Sequence, residues 1–171
     1  GPHMGLIVLD SGHLTPHAGV QTDWLRRALE GHSDRPLCLV AYHVPLFPGF
    51  RLPSGAMPSA GREFWQPLFE QYNITAALEH HDHIFKRTVL IRGDEETEDG
   101  ILYLGDGAFG RPTKPVEGPR QVHLGRRWYL HKLESRGHFW RVDVDAAGAS
   151  ATFTALDEEG IEFDQVTRLA R

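Results

Sequence analysis

The stretch Leu37-Cys38-Leu39-Val40-Ala41-Tyr42-His43-Val44-Pro45 decides how this chain is read. Five consecutive apolar residues are too few for a typical helix, and Val44-Pro45 breaks the pairing, so the run predicts a strand buried on both faces. Such strands belong to sheets covered by helices, and open α/β sheets gather their chemistry at the carboxyl ends of the strands. Tyr42 and His43 stand at that end. On either side the pattern recurs. Leu6-Ile7-Val8-Leu9 is a second buried run, and Ile74-Thr75-Ala76-Ala77-Leu78 is a third that leads directly into Glu79-His80-His81-Asp82-His83.

Between these strands the spacing changes to that of helices. Val20, Trp24, Leu25, Ala28 and Leu29 recur with helical period, and Gly31 follows as a stop. Ser59 is placed to cap a helix running to about Tyr72, with Phe64, Leu68 and Phe69 inward and Pro67 kinking or restarting it. Residues Pro45 to Pro58 hold four prolines together with Leu46, Phe47, Phe50 and Leu52. That loop is too apolar for a linker and reads either as a lid or as packing over the site edge. Phe85 to Ile91 and Ile101 to Leu104 are further strands, with a solvated acidic turn from Gly93 to Gly100. After a Gly- and Pro-rich loop from Gly105 to Gly118, the segments His138 to Val144, Ala151 to Ala155 and Ile161 to Thr167 alternate as strands do. Gln121 to Ser135 carries no decisive pattern. The sum is a layered α/β chain, β-rich toward its C-terminus.

Gly1-Pro2-His3-Met4 reads as a cloning remnant, and residues 5–171 are about one domain in length. With 40% hydrophobic and 24% charged residues, the chain has the mixture of a protein that buries a core. A formal net charge of −5 argues against nucleic-acid binding, because a phosphate backbone calls for a surplus of clustered Lys and Arg. No apolar run approaches the ~18 residues needed to span a bilayer, and no repeat or low-complexity segment is present. The single cysteine, Cys38, lies in the Leu37–Ala41 strand as a small buried hydrophobe and leaves no pair for a disulfide.

Chemistry concentrates at three histidines. His81 and His83 are one residue apart, so their rings face a shared site only if the backbone leaves regular strand geometry; His43 ends a neighbouring strand. Neutral imidazoles in such positions suit Zn, Fe or Mn. The remaining histidines, His13, His17, His32, His80, His123, His131 and His138, are expected on the surface or hydrogen-bonded. Asp82 is expected to be a solvent-facing spacer, and Arg62 and Arg87 are expected in surface or ion-pair roles in preference to a phosphate contact.

Leu39-Val40-Ala41-Tyr42-His43-Val44-Pro45-Leu46-Phe47 resembles the segment of calcineurin-like and purple-acid-phosphatase-like metallophosphoesterases in which a strand ends in histidine followed by x-Pro-aromatic. His81-Asp82-His83-Ile84-Phe85-Lys86-Arg87 resembles their Gly-His-x-His-x-Tyr-x-Arg motif, with His80 at the glycine and Phe85 at the tyrosine. Ile7-Val8-Leu9-Asp10-Ser11 followed by Gly19-Val20-Gln21-Thr22-Asp23-Trp24-Leu25 is similar to the strand, loop and helix between the family's motif blocks. The resemblance runs from Leu6 to about Thr167. It implies the C-terminal half of a four-layer αββα sandwich, with His43 and His81 on one metal and His83 on a second. In the complete domain two transition metals, Fe, Mn or Zn, would hydrolyse a phosphoester substrate. The family's Asp-x-His, Gly-Asp-x-x-Tyr and Gly-Asn-His-Glu motifs appear nowhere in the chain. Its bridging aspartate, asparagine ligand and leaving-group histidine are therefore missing, and no catalytic residue is assigned. One metal or none is expected in this chain alone, with a separate N-terminal half or self-association completing the fold. The alternatives are a single-metal module on His43, His81 and His83, or a metal-free structural module on the same scaffold.

Overall fold

The computed structural model describes residues 2–105, 107–118 and 127–170. The chain runs β1 (Met4–Val8), α1 (Val20–Glu30), β2 (Leu37–Ala41), α2 (Ala56–Phe64), α3 (Gln66–Gln71), β3 (Ala76–Leu78), β4 (Phe85–Arg92), β5 (Glu95–Glu96), β6 (Ile101–Gly105), β7 (Leu130–Glu134), β8 (Phe139–Val144), β9 (Ser150–Leu156) and β10 (Glu162–Leu169). A seven-stranded sheet has the order β1-β2-β3-β6-β4-β5, with β7 also on β4; a second sheet has the order β10-β9-β8. Strands β1, β2, β3 and β6 are parallel, and β4 runs antiparallel to β6, β5 and β7.

The three layers follow from which face each residue presents. Leu25 and Leu29 of α1 and Leu68 and Phe69 of α3 pack with Ile7, Cys38, Val40 and Ala77 on one face of the large sheet. Its other face, carrying Leu37, Leu39, Ala76, Leu102 and Leu104, packs on Ala151 and Phe153 of β9. A strand buried on both faces needs apolar residues at every position, as the unbroken runs of β2 and β6 have. Cys38 is buried in β2, as a small hydrophobe.

The predicted elements hold with defined differences. The helix placed from Ser59 to Tyr72 is two helices: α2 starts three residues earlier after Gly55, and Pro67 opens α3 in its first turn, where its missing N–H costs no helical bond. Ser59 is therefore internal to α2, its N–H donating to Gly55 O at 3.0 Å. In α1, Leu25 and Leu29 are buried, but Val20 is 79% and Trp24 46% exposed. Within 121–135, Leu130 to Glu134 forms β7; His123 and Asp106 lie outside the described residues. The short β5 occupies part of the acidic turn.

Candidate metal-binding edge

The carboxyl ends of β1, β2, β3 and β6 lie side by side, and the segments leaving them build one edge. After β1, Asp10 folds the next turn around itself, accepting from the N–H groups of His13 (3.2 Å), Leu14 (2.8 Å) and Thr15 (2.7 Å). Gln21 of α1 completes this turn: its Oε1 accepts from Asp10 N at 2.8 Å and its Nε2 donates to Asp10 O at 2.8 Å. The glutamine of the Gly-x-Gln-x-x-Trp-Leu segment thus fixes the loop that carries His13.

After β2, Val44 N donates to Ser11 Oγ at 2.6 Å, which ties the His43 turn to the β1 loop. After β3, His80 N donates to His43 O at 3.0 Å, and His80 Nδ1 lies 2.8 Å from Tyr42 O. The backbone then leaves strand geometry as the His-x-His spacing requires, with φ of 82° at His81 and 55° at His83. Both lie in the left-handed region, where a side chain with a Cβ is strained, so the surroundings must hold the turn. Asp82 supplies much of that hold. It is wholly buried, accepting from Phe50 N (2.7 Å) and Arg51 N (3.2 Å) and meeting Arg51 Nε at 3.2 Å. The expectation of a solvent-facing spacer is thereby corrected: between two exposed turns, a carboxylate that faces inward satisfies backbone donors that would otherwise be orphaned.

The loop from Pro45 to Pro58 is packing, bound from beneath at several points. Glu79 and Lys86, both without exposed surface, form an ion pair there. Glu79 Oε1 accepts from Leu46 N and from Tyr42 Oη, each at 2.7 Å, and Lys86 Nζ donates to Phe47 O at 2.7 Å. Tyr129 Oη donates to Pro48 O at 2.8 Å. Arg87 pairs bidentately with Asp164 at 2.7 and 3.0 Å, the ion-pair role expected of it, whereas Arg62 braces the loop backbone by donating to Leu46 O and Pro53 O.

His43 and His81 meet at the centre of the edge, His81 Nδ1 lying 2.8 Å from His43 Nε2. His13 joins them, its ring centroid 5.3 Å from that of His43 and 6.3 Å from that of His81. Burial, then the neighbouring His13, His80, His83 and Arg51, lowers the pKa of His43. Burial, then Arg51 and His43, pushes His81 down to about 4 against the opposing pull of Asp82. Burial and then Lys114, Arg111 and Arg51 lower His83. All three rings are therefore held neutral at pH 7, the form in which imidazole offers a lone pair to a cation. His83 does not complete a ligand set with the other two: among the described residues no group of three or more His, Cys, Asp or Glu side chains is arranged to hold a metal ion.

No protein-family model and no curated protein matches the chain. Solved structures do. A purple acid phosphatase, PPD1, isolated from yellow lupin (Lupinus luteus) seeds, superposes with a TM-score of 0.76 at 16% identity, over 96% of this chain and 30% of that one. GAP50, described as the anchor in the inner membrane complex of Plasmodium, superposes with a TM-score of 0.74 at 10% identity, over 98% of this chain and 50% of that one. The fold is of the calcineurin-like metallophosphoesterase type. The chain corresponds to the C-terminal half of such a domain and spans half or less of the length of these two proteins. On this metallophosphoesterase-type scaffold His43 and His81 lie within hydrogen-bond distance of one another. His13, His80, Arg51 and Lys114 crowd the same edge without any sequence signal that singles them out, because each is brought there by a turn and not by a strand.

No helix among the described residues is long and apolar enough to cross a membrane.

Proposed function

We propose that this chain supplies the C-terminal histidine ligands of a metal-dependent phosphoesterase, active when the remainder of the domain completes the site. The observation that carries the reading is the convergence of His43 Nε2 and His81 Nδ1 at 2.8 Å on the carboxyl edge of a metallophosphoesterase-type sheet. The two rings are hydrogen-bonded to one another here, and with the shared proton displaced both nitrogens would be free to hold one transition-metal ion as part of a coordination set. His43 and His81 would hold one ion and His83 would contribute to a second. When bound, such ions lower the pKa of a coordinated water and neutralise charge on a phosphoryl group. The chain's own part is to hold the imidazoles neutral by burial, to fix the His43 turn through Ser11 and the His81–His83 turn through Asp82, and to offer cationic side chains beside them.

The test is elemental analysis of the purified chain together with hydrolysis of a generic aryl phosphate in the presence of Mn, Fe, Zn or Co. Bound metal lost in His43→Ala and in His81→Ala supports the reading, and metal content unchanged in both overturns it. Turnover is expected only after a complementary N-terminal half is added. A second reading, an assembly module without catalysis, is favoured by the anchor role in the description of the similarly folded GAP50. Absence of bound metal even after the N-terminal half is added, together with stable partner binding, would select it, and a single metal that stays single, without turnover, after that addition would instead select a single-metal module.

A further inference from the structure

We propose that His13 is the third ligand of a single divalent transition-metal ion held with His43 and His81, in a three-histidine site that this chain builds by itself and that leaves one coordination position open. The inference rests on the metal-binding reading of the same edge and changes its ligand set. His13 belongs to none of the family motifs, yet its ring contacts those of both His43 and His81, whereas among the described residues His83 shares a ring contact with neither. Spacing carries the argument. A zinc–nitrogen bond of about 2.0–2.1 Å puts an imidazole centroid roughly 3.2 Å from the ion, so two imidazoles in tetrahedral positions have centroids about 5 Å apart. The separations here are 4.7 Å for His43 and His81, 5.3 Å for His13 and His43, and 6.3 Å for His13 and His81. The ring planes cross at 64° to 77°, which presents ring edges, where the nitrogens lie, in place of flat stacking.

The rings are turned toward one another, His43 and His81 sharing a hydrogen bond, and among the described residues no three side chains are set around one point. An ion would replace the shared proton and turn the rings while the backbone stays. That backbone is braced: Val44 N donates to Ser11 Oγ at 2.6 Å, tying the loop of His13 to the turn of His43, and His80 N donates to His43 O at 3.0 Å, tying that turn to the segment of His81. The movable member is His13, whose side chain is 45% exposed, and its distance to His81 is the one that must close, by about 1 Å. Behind it stands Asp10, pinned by three backbone amides, with Oδ1 4.0 Å from His13 Nδ1. A carboxylate on that side favours the tautomer protonated at Nδ1 and frees Nε2 for an ion.

The experiment titrates the 171-residue chain, stripped with EDTA and then freed of it, with Zn(II) by calorimetry and with Co(II) by visible absorption at about pH 8, where imidazole is neutral. One ion per chain is expected, with the intense absorption of tetrahedral Co(II). His13→Ala, His43→Ala and His81→Ala should each weaken Zn(II) binding at least about tenfold, and His83→Ala should leave it within about twofold. His13→Cys separates ligation from support of the loop: a thiolate at that position should keep Co(II) bound and add a thiolate-to-cobalt charge-transfer band, which Cys38, buried in β2, does not supply in the wild-type chain. No bound ion, Zn(II) affinity unchanged in His13→Ala, or no such band in His13→Cys would overturn the site. Metal lost in His43→Ala and His81→Ala but kept in His13→Ala would sink this ligand alone and leave the phosphoesterase reading standing. An ion that depends on His13, with no hydrolysis after the N-terminal half is added, would sink the phosphoesterase reading alone.

Discussion

Glu79 and Lys86 are charged side chains with no solvent contact, and beyond each other and Tyr42 their side chains bond the backbone of the loop beside His43. Two ions buried together are tolerable when each is paired and bonded; one left alone is not. Lys86→Met should therefore destabilise the chain by about 3–5 kcal/mol, whereas adding Glu79→Gln to it should restore part of the loss, both read from urea denaturation. A double variant no more stable than the single one would show that the pair does not behave as a unit. His17 supplies a second residue-scale test. It is 4% exposed, its ring lies 4.3 Å from that of Trp65, and its Nε2 has no hydrogen-bond partner among the described residues. Burial lowers its pKa below 6.5, with Asp10 opposing. The unfolded chain then binds this proton more readily than the folded one, so the contribution is present above pH 6.5 and is lost as pH falls below it. His17→Phe keeps the stacking and removes the proton site; its stability should decline less steeply than that of wild type between pH 7 and 5. Neither role was legible in the sequence, because charged and polar residues are mostly exposed and a single chain offers no sign of the exceptions.

At the scale of elements, what was legible were the strands whose every position is buried: β2 and β6 show unbroken apolar runs, and their ends located His43 and the Gly105 loop. β7 was not, since Leu130-His131-Lys132-Leu133-Glu134 lies at a half-covered margin and has mixed composition. The expected departure from strand geometry at His81 and His83 is present, and His80, which stands at the family's glycine, is not among the residues with positive φ. The role of Asp82 was missed because it is exerted across the fold: 31 and 32 residues separate it from the amides of Arg51 and Phe50. If Asp82 is what binds loop and turn together, Asp82→Ala should speed hydrogen exchange at those two amides by at least about tenfold, each lost bond to a buried charged acceptor being worth about 1.5–3 kcal/mol. Exchange elsewhere in the large sheet should change little. Uniform acceleration across the sheet would mean that the substitution unfolds the chain globally instead of releasing the loop.

For the molecule as a whole, the core between the two sheets stops short. The register aligns Leu6 with Leu39 and Ala76, and Val8 with Ala41 and Leu78, so Leu6 and Val8 extend the rows whose inner members are covered by the second sheet. Yet Leu6 is 51% and Val8 66% exposed. The second sheet ends on the same side: Gly148, in the turn after β8, lies against His3 at the start of β1, whereas Asp164 of β10 pairs with Arg87 at the opposite end. Among the described residues β1 and β8 each end the strand order of their sheet, and Leu6 and Val8 of β1 are exposed there. Open edges of this kind recruit another strand. The chain should therefore self-associate at micromolar to millimolar concentration, or bind a complementary half-domain. Covering Leu6 and Val8 should contribute about 2–3 kcal/mol at ~25 cal/mol per Å², or roughly 30- to 150-fold in dissociation constant. Leu6→Lys combined with Val8→Lys should remove that contribution and shift sedimentation toward the monomer. It should leave the melting temperature within a few degrees of wild type, because both positions are already wet in the isolated chain. A wild-type chain that sediments as a monomer throughout this range and takes up no complementary half would show that these edges, though open, are not binding surfaces.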